Sequence, residues 1–263
     1  MASLVNIEKI FDPGPETPIL VGGMVKSDRR KIYGKGETSM STDRGEAFIF
    51  DLDGTLFQTE QVAIPAFHRT YQRLQEQGLH RGNGPTDEQV TSVFGMTSGG
   101  IWERLLPGAS DEAKKIADDW WLQNELDCLA EGMGELYPGV AQGLEALHGR
   151  GFRLFVASNG RGPYVRGVLQ AFGISSWFTG IYSAGEKQIF DKDRLVALLM
   201  KEHQVTSGWM VGDRSSDVQA GKANGLTVIG CRYAGFPQFG DGKELEGADQ
   251  VIGSFGELLT LAG

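Results

Sequence analysis

The sequence is poor in several things, and each shortage removes a class of protein. It holds only two cysteines, Cys128 and Cys231. They lie far apart and fit no metal-ligand spacing, which argues against a disulfide framework or a zinc module. A reducing, cytoplasmic compartment is the simplest expectation. The four histidines, His68, His80, His148 and His203, form no ligand pair or triad spacing. No apolar run is long enough for a membrane span. The first residues show neither an apolar signal core nor an arginine-rich pattern, so no targeting segment is expected. Positive charge is in deficit: 25 Lys and Arg against 34 Asp and Glu give a net charge of −9. Phosphate backbones demand basic patches, so nucleic acid is not an expected partner. A small phosphorylated ligand remains compatible, because one metal ion and one lysine reverse a local field. No internal repeat or low-complexity stretch is visible.

What is present is an ordinary globular composition, 40% hydrophobic and 22% charged, over 263 residues. That length suits one large domain or a domain carrying an insert. The 38 glycines suit many tight strand-to-helix turns.

One stretch organises the chain: Phe48-Ile49-Phe50-Asp51-Leu52-Asp53-Gly54-Thr55-Leu56-Phe57. Its apolar start reads as a buried strand, so Asp51 and Asp53 fall where the strand ends. Open parallel sheets bind ligands outside the carboxyl ends of their strands. Residues two apart on a strand share a face, and two carboxylates aimed together repel unless a cation lies between them or one holds a proton. The chemistry this permits is specific. Asp51 is a candidate carboxylate nucleophile, and Asp53 a candidate acid for the leaving group and base for the attacking water. A hard cation such as Mg2+ suits such carboxylates and phosphate oxygens. Gly54 permits a tight turn and offers its N–H to an anion. A solvated acidic turn is the plainer reading of a bare Asp-x-Asp.

Further along, residues 60–137 read as helical. Val62, Phe67, Tyr71 and Leu74 recur at helical spacing, with Gly78 a candidate stop. Thr86 resembles a helix start. A glycine-bearing loop, Phe94 to Gly100, precedes Ile101. Ser110 to Ala130 makes a long helix whose Ile116, Trp120, Trp121, Leu126 and Leu129 read as core packing. A helix is expected from Val140 to about Arg150. Phe152 to Gly160 is a second apolar run ending in small polar residues, and the helix after it starts near Gly162-Pro163. There Ser158 and Asn159 either hold phosphate oxygens with backbone N–H groups or simply cap that helix. Gly180 to Ser183 is a third strand. Trp209-Met210-Val211-Gly212-Asp213 is a fourth, continuing as Arg214-Ser215-Ser216-Asp217. Leu226 to Gly230 and Ala248 to Ile252 follow, and a last helix is expected from Ser254 to Leu261. Alternating strands and helices predict an α/β fold with a parallel sheet.

Taken in order, these four strand ends resemble the motifs of the haloacid dehalogenase-like hydrolase superfamily, in its phosphoglycolate-phosphatase-like branch. The resemblance runs from about Ala47 to Leu261. It implies a Rossmann-like core over residues 46–59 and 137–263, with an inserted α-helical cap domain over 60–136. It also implies a Mg2+-dependent phosphatase acting on a small phosphorylated metabolite through an aspartyl-phosphate. In that scheme Asp51 attacks phosphorus and Asp53 serves as acid and base. Gly54, Ser158, Asn159 and a lysine hold the phosphoryl group. Asp51, Asp213 and the Asp53 backbone carbonyl hold the metal, with Asp217 supporting a metal-bound water or capping its helix. The lysine is Lys192, which opens a helix, or Lys187 in the loop before it; the resemblance favours Lys192. Residues 1–45 precede the usual start of the family pattern and read as a strap, a β-hairpin, a partner-docking arm or a flexible tail. Two alternatives stay open: a phosphosugar mutase with the same core, and a binding or regulatory protein that kept the fold without turnover. The substrate and the oligomeric state are not readable.

Overall fold

The computed structural model describes residues 46–261. The strap, β-hairpin, docking arm or flexible tail expected of residues 1–45 lies outside the described residues. Six strands form one parallel sheet: β1 (Glu46–Phe50), β2 (Arg153–Ser158), β3 (Phe178–Ser183), β4 (Ser207–Gly212), β5 (Thr227–Cys231) and β6 (Gln250–Ile252). Their order across the sheet is β3-β2-β1-β4-β5-β6. The chain winds outward from β1 in one direction, returns, and winds out in the other. The reversal falls between β1 and β4, and such a switch point leaves a crevice at the carboxyl ends of the strands. Phe50 lies opposite Val211 across this boundary.

The apolar run in β1 has no polar alternation because both of its faces are covered. Phe48 and Phe50 point to one side. There they join Leu154, Val156, Val211 and Ile229, together with residues of α5 (Val140–Gly149) and α6 (Gly162–Ala171). Ala47 and Ile49 point to the other. They meet Phe155, Ala157 and Met210 beneath Leu195, Val196 and Leu199 of α8 (Lys192–His203) and Ala220 of α9 (Ser215–Ala223). Phe48 stacks on Trp209 at 4.4 Å between ring centroids and meets Phe152 edge-on at 5.2 Å.

Between β1 and β2 the chain forms a separate helical layer: α1 (Glu60–Glu76), α2 (Asp87–Thr91), α3 (Ser98–Leu105) and α4 (Asp111–Ala130). This layer has its own apolar cluster, in which Phe67, Tyr71, Leu74, Val93 and Trp102 are buried. Its starts follow from the sequence. Thr86 and Gln89 form a reciprocal capping box, and Ser110 caps α4 by accepting from the Ala113 N–H.

Three local differences from the sequence reading have physical causes. Strand β3 begins two residues early, at Phe178, because Thr179 is accommodated as a bulge: Leu154 pairs with Phe178 and Phe155 with Gly180. The segment before Lys192, read as loop, contains one helical turn, α7 (Ala184–Lys187), capped by the Ser183 hydroxyl. The last helix splits into a 3-10 turn (Phe255–Glu257) and α10 (Leu258–Leu261). The tighter turn seats Phe255 in the core against Phe50.

Replacing Phe48 with alanine removes a fully buried ring from this stack, so unfolding in denaturant should lose about 3–5 kcal/mol. Replacing Phe190, 66% exposed, should change stability by no more than about 0.5 kcal/mol. Equal effects from the two would show that the sheet core is not organised as described.

Candidate active site

The crevice at the β1–β4 boundary is built by two strand ends. The Asp51 N–H donates to the Val211 carbonyl at 2.9 Å, extending the ladder one residue past β1. The Leu52 carbonyl then accepts from the N–H groups of Leu56 (2.9 Å) and Phe57 (3.0 Å), closing a tight turn. Gly54 occupies that turn at φ +78°, and a Cβ there would lie 2.3 Å from Asp213 Oδ2. Glycine is therefore required twice, by conformation and by space. On the β4 side, the Arg214 N–H donates to Asp217 Oδ2 at 3.0 Å, and this fixes the Asp217 side chain at the start of α9. A Cβ on Gly212 would lie 2.2 Å from Asp217 Cγ.

These constraints bring three carboxylates together. Asp51, Asp213 and Asp217 each place an oxygen within 4.8 Å of the others. One cation lies among them. Lys192 Nζ is 2.5 Å from Asp51 Oδ1 and 2.5 Å from Asp217 Oδ1, and the lysine is 6% exposed. Burial, the negative charges of Asp217 and Asp53, and the opposing pull of Lys192 leave the Asp51 carboxyl pushed up to about 7. Asp213 is held well above the usual carboxylate range by burial and by Asp51 and Asp217. Burial pulls Lys192 down, but Asp217 and Asp51 carry it upward overall, so it stays protonated. Two buried carboxylates and one half-buried, with a single ammonium among the described residues, form an oxygen-only donor set short of positive charge, which fits a hard divalent cation.

Asp53 does not join this trio. Its Oδ1 accepts from the Thr59 hydroxyl at 2.7 Å and from the Tyr164 hydroxyl at 2.6 Å. Burial raises its pKa against the lowering effect of those two hydrogen bonds. Because both donors use Oδ1, Oδ2 is the oxygen left to carry a proton.

The other anticipated residues are distributed as follows. Asn159 lies on the wall of a cavity that also opens onto Asp51, Asp53 and Lys192. Its Nδ2 donates to the Gly95 carbonyl at 2.9 Å, which ties the end of β2 to the loop before α3. Ser158 is fully buried and its Oγ accepts from the Gly160 N–H at 3.0 Å, a local turn contact. Lys187 lies elsewhere, 3.8 Å from Glu202 and over the Tyr182 ring. Gly95, Met96 and Ser98 of the glycine-bearing loop reach the cavity.

Trp121, read from periodicity as core, packs on Phe67 at 4.5 Å yet also forms part of the cavity wall. Thr59, Tyr164, Glu125, Arg161 and Arg214 line the same cavity and were not singled out for it in the sequence. Thr59 lies one turn past the Asp-x-Asp stretch and could have been found by distance along the chain. Tyr164 and Glu125 offered no such signal, since each lies on a helix beside residues of every kind.

The comparisons with known proteins agree with this geometry. Residues 48–231 match the haloacid dehalogenase-like hydrolase family. The chain is 31% identical to the phosphoglycolate phosphatase of Vibrio vulnificus (strain YJ016), over 81% of this chain and 93% of that protein. It is also 31% identical to the phosphoglycolate phosphatase of Salmonella typhimurium (strain LT2), over 84% and 92% respectively. A solved structure described as a predicted phosphatase from Clostridium acetobutylicum superposes with a TM-score of 0.69 at 22% identity, covering 82% of this chain and 97% of that one. The chain therefore belongs to the haloacid dehalogenase-like hydrolase family. Within it, the protein falls in the phosphoglycolate-phosphatase-like branch and is a phosphoric monoester hydrolase. No helix among the described residues is long and apolar enough to cross a membrane.

A cation bound at the carboxylate trio would make stability depend on pH and metal together. Asp51 binds its proton more tightly folded (about 7) than unfolded (3.8). Metal-free stability should therefore fall as pH rises through that interval. A Mg2+ ion held there would need the carboxylates ionised, so it should raise the melting temperature more at about pH 8 than at about pH 5. Melting curves with Mg2+ and with chelator check this; an equal shift at both pH values would contradict it.

Proposed function

We propose that the protein is a Mg2+-dependent phosphatase that hydrolyses a small phosphorylated metabolite through an aspartyl-phosphate on Asp51. The observation carrying this reading is the Lys192–Asp51 contact at 2.5 Å in the switch-point crevice, with Asp213 and Asp217 beside it and Asp53 turned the other way. Asp51 would attack phosphorus, its carboxylate forming one P–O bond as the bond to the leaving oxygen breaks. Asp53 Oδ2 would give its proton to that leaving oxygen. In the second half, Asp53 would take a proton from the water that hydrolyses the acyl phosphate, and inorganic phosphate would leave.

Lys192 would hold a phosphoryl oxygen while countering the charge of Asp51. Ser158 and Asn159 would complete the phosphoryl cradle; the Gly54 N–H, expected to face an anion, instead donates to the Phe57 carbonyl at 3.0 Å. Asp51, Asp213 and the Asp53 carbonyl would hold Mg2+, with Asp217 beside them. When bound, the cation supplies charge neutralisation for the carboxylates and the phosphoryl oxygens. The helical layer over residues 60–136 would act as the cap that excludes water and chooses the substrate.

Asp51→Asn should reduce phosphate release by a factor of about 10^3 or more. Asp53→Asn should have a leaving-group signature. It should slow alkyl phosphates strongly and p-nitrophenyl phosphate much less, because nitrophenolate departs without a proton. Phosphate assays on both ester types test this. Full activity in Asp51→Asn would overturn the reading, and retention of phosphate on a bisphosphate product would point to a mutase instead.

A further inference from the structure

The cavity next to Asp51 has a cap-side wall whose chemistry is not used by the steps above. Glu125 on α4 is 3% exposed, lines this cavity, and has no hydrogen-bond partner among the described residues. Buried carboxyl groups normally have partners, and one without any calls for an explanation. Burial, reinforced by the negative charges of Asp53 and Asp118, holds Glu125 well above the usual carboxylate range. Its carboxyl oxygens accept hydrogen bonds in either protonation state.

A second unpartnered group lies on the same wall: Trp121 Nε1, one helical turn from Glu125, is a buried donor. Two of the three basic groups there are fully engaged. Lys192 is held by Asp51 and Asp217, and Arg161 by Asp118 and Asp119. Arg214 is 3.4 Å from Glu244 through Nε, although its Nη1 is buried without a partner.

A carboxyl group and a lone donor side by side complement a hydroxyl, which donates to the first and accepts from the second. A second anion would set acceptor against acceptor at Glu125, and an ammonium would set donor against donor at Trp121. We infer that Glu125 is a specificity-determining residue that reads a hydroxyl on the leaving portion of the substrate. The esters turned over are those of polyols or sugars, not those bearing a second anion. This rests on the phosphatase reading and narrows it to a substrate class. It also sets this chain apart from what its relatives' names describe, since their named ester carries a carboxylate. Arg214 Nη1 is the group a second anion would use, and the experiment weighs that rival directly.

The test compares size-matched esters with Mg2+: hydroxyethyl phosphate against phosphoglycolate, glycerol phosphate against phosphoglycerate, and phosphoethanolamine as the cationic arm. Within each pair the hydroxyl ester should show a kcat/KM higher by about tenfold or more. Glu125→Leu, matched in bulk and checked by its melting temperature, should bring that ratio close to one, mainly by raising KM for the hydroxyl ester. Glu125→Gln, which still accepts, should keep most of the preference. A preference for phosphoglycolate or phosphoethanolamine would overturn the inference and leave the phosphatase reading standing. An unchanged ratio in folded Glu125→Leu would overturn the assignment to Glu125. No phosphate from any ester, p-nitrophenyl phosphate included, would overturn both readings.

Discussion

Three carboxylates within 4.8 Å of one another in a protein interior, with one ammonium among them, are a constraint that the rest of the structure serves. Like charges at such distances raise one another's pKa and resist desolvation. They persist only where the backbone is over-determined around them. Here that determination comes from the sheet. The strands β1 and β4 are neighbours at the topological switch point, each buried on both faces, and each ends in an aspartate. Glycines at 54 and 212 leave the space those side chains occupy. The aromatic stack of Phe48, Phe152 and Trp209 lies at the far end of the same strands. It contributes packing where no chemistry is needed and leaves the carboxyl ends free for it.

The second feature is the separation of Asp51 from Asp53. Two residues apart, they were expected to face one point. The tight turn at Leu52 to Phe57 instead aims them at different partners: Asp51 toward Lys192, Asp53 toward Thr59 and Tyr164. This divides the crevice into a charged side near the sheet and a hydroxyl-lined side near the helical layer. A nucleophile needs the first environment, where an ammonium stabilises its ionised form. A proton donor needs the second, where burial favours the neutral acid. Distinct environments for paired carboxyl groups are how one site separates base from acid.

How much of this was legible in the sequence depended on the range of the interaction. Strand ends were readable because a short apolar run stopping at aspartate or serine is a local pattern; Phe48 to Asp51, Phe152 to Ser158 and Trp209 to Asp213 all carry it. Helix starts at Thr86 and Ser110 were readable for the same reason. Lys192 was harder. It meets Asp51 across 141 residues, and only knowing where α8 begins separates it from Lys187, which a short turn and the left-handed Gln188 direct elsewhere. Tyr164 and Glu125 were not legible at all. Neither stands in a pattern that sets it apart from its helix neighbours, and even an inward position on a helix does not distinguish a core from a cavity. Trp121 shows the same ambiguity from the other side, since it packs in the layer's core and faces the cavity at once.

The central claim is that Asp51 carries the phosphoryl group between substrate and water. The direct measurement is mass spectrometry of the protein quenched in acid during turnover of a phosphate ester with Mg2+. The account predicts one added phosphoryl group on the peptide containing Asp51, sensitive to hydroxylamine as an acyl phosphate is, and absent before substrate is added. Steady phosphate release with no phosphorylated peptide, or with the label on Ser158 or another side chain, would contradict it.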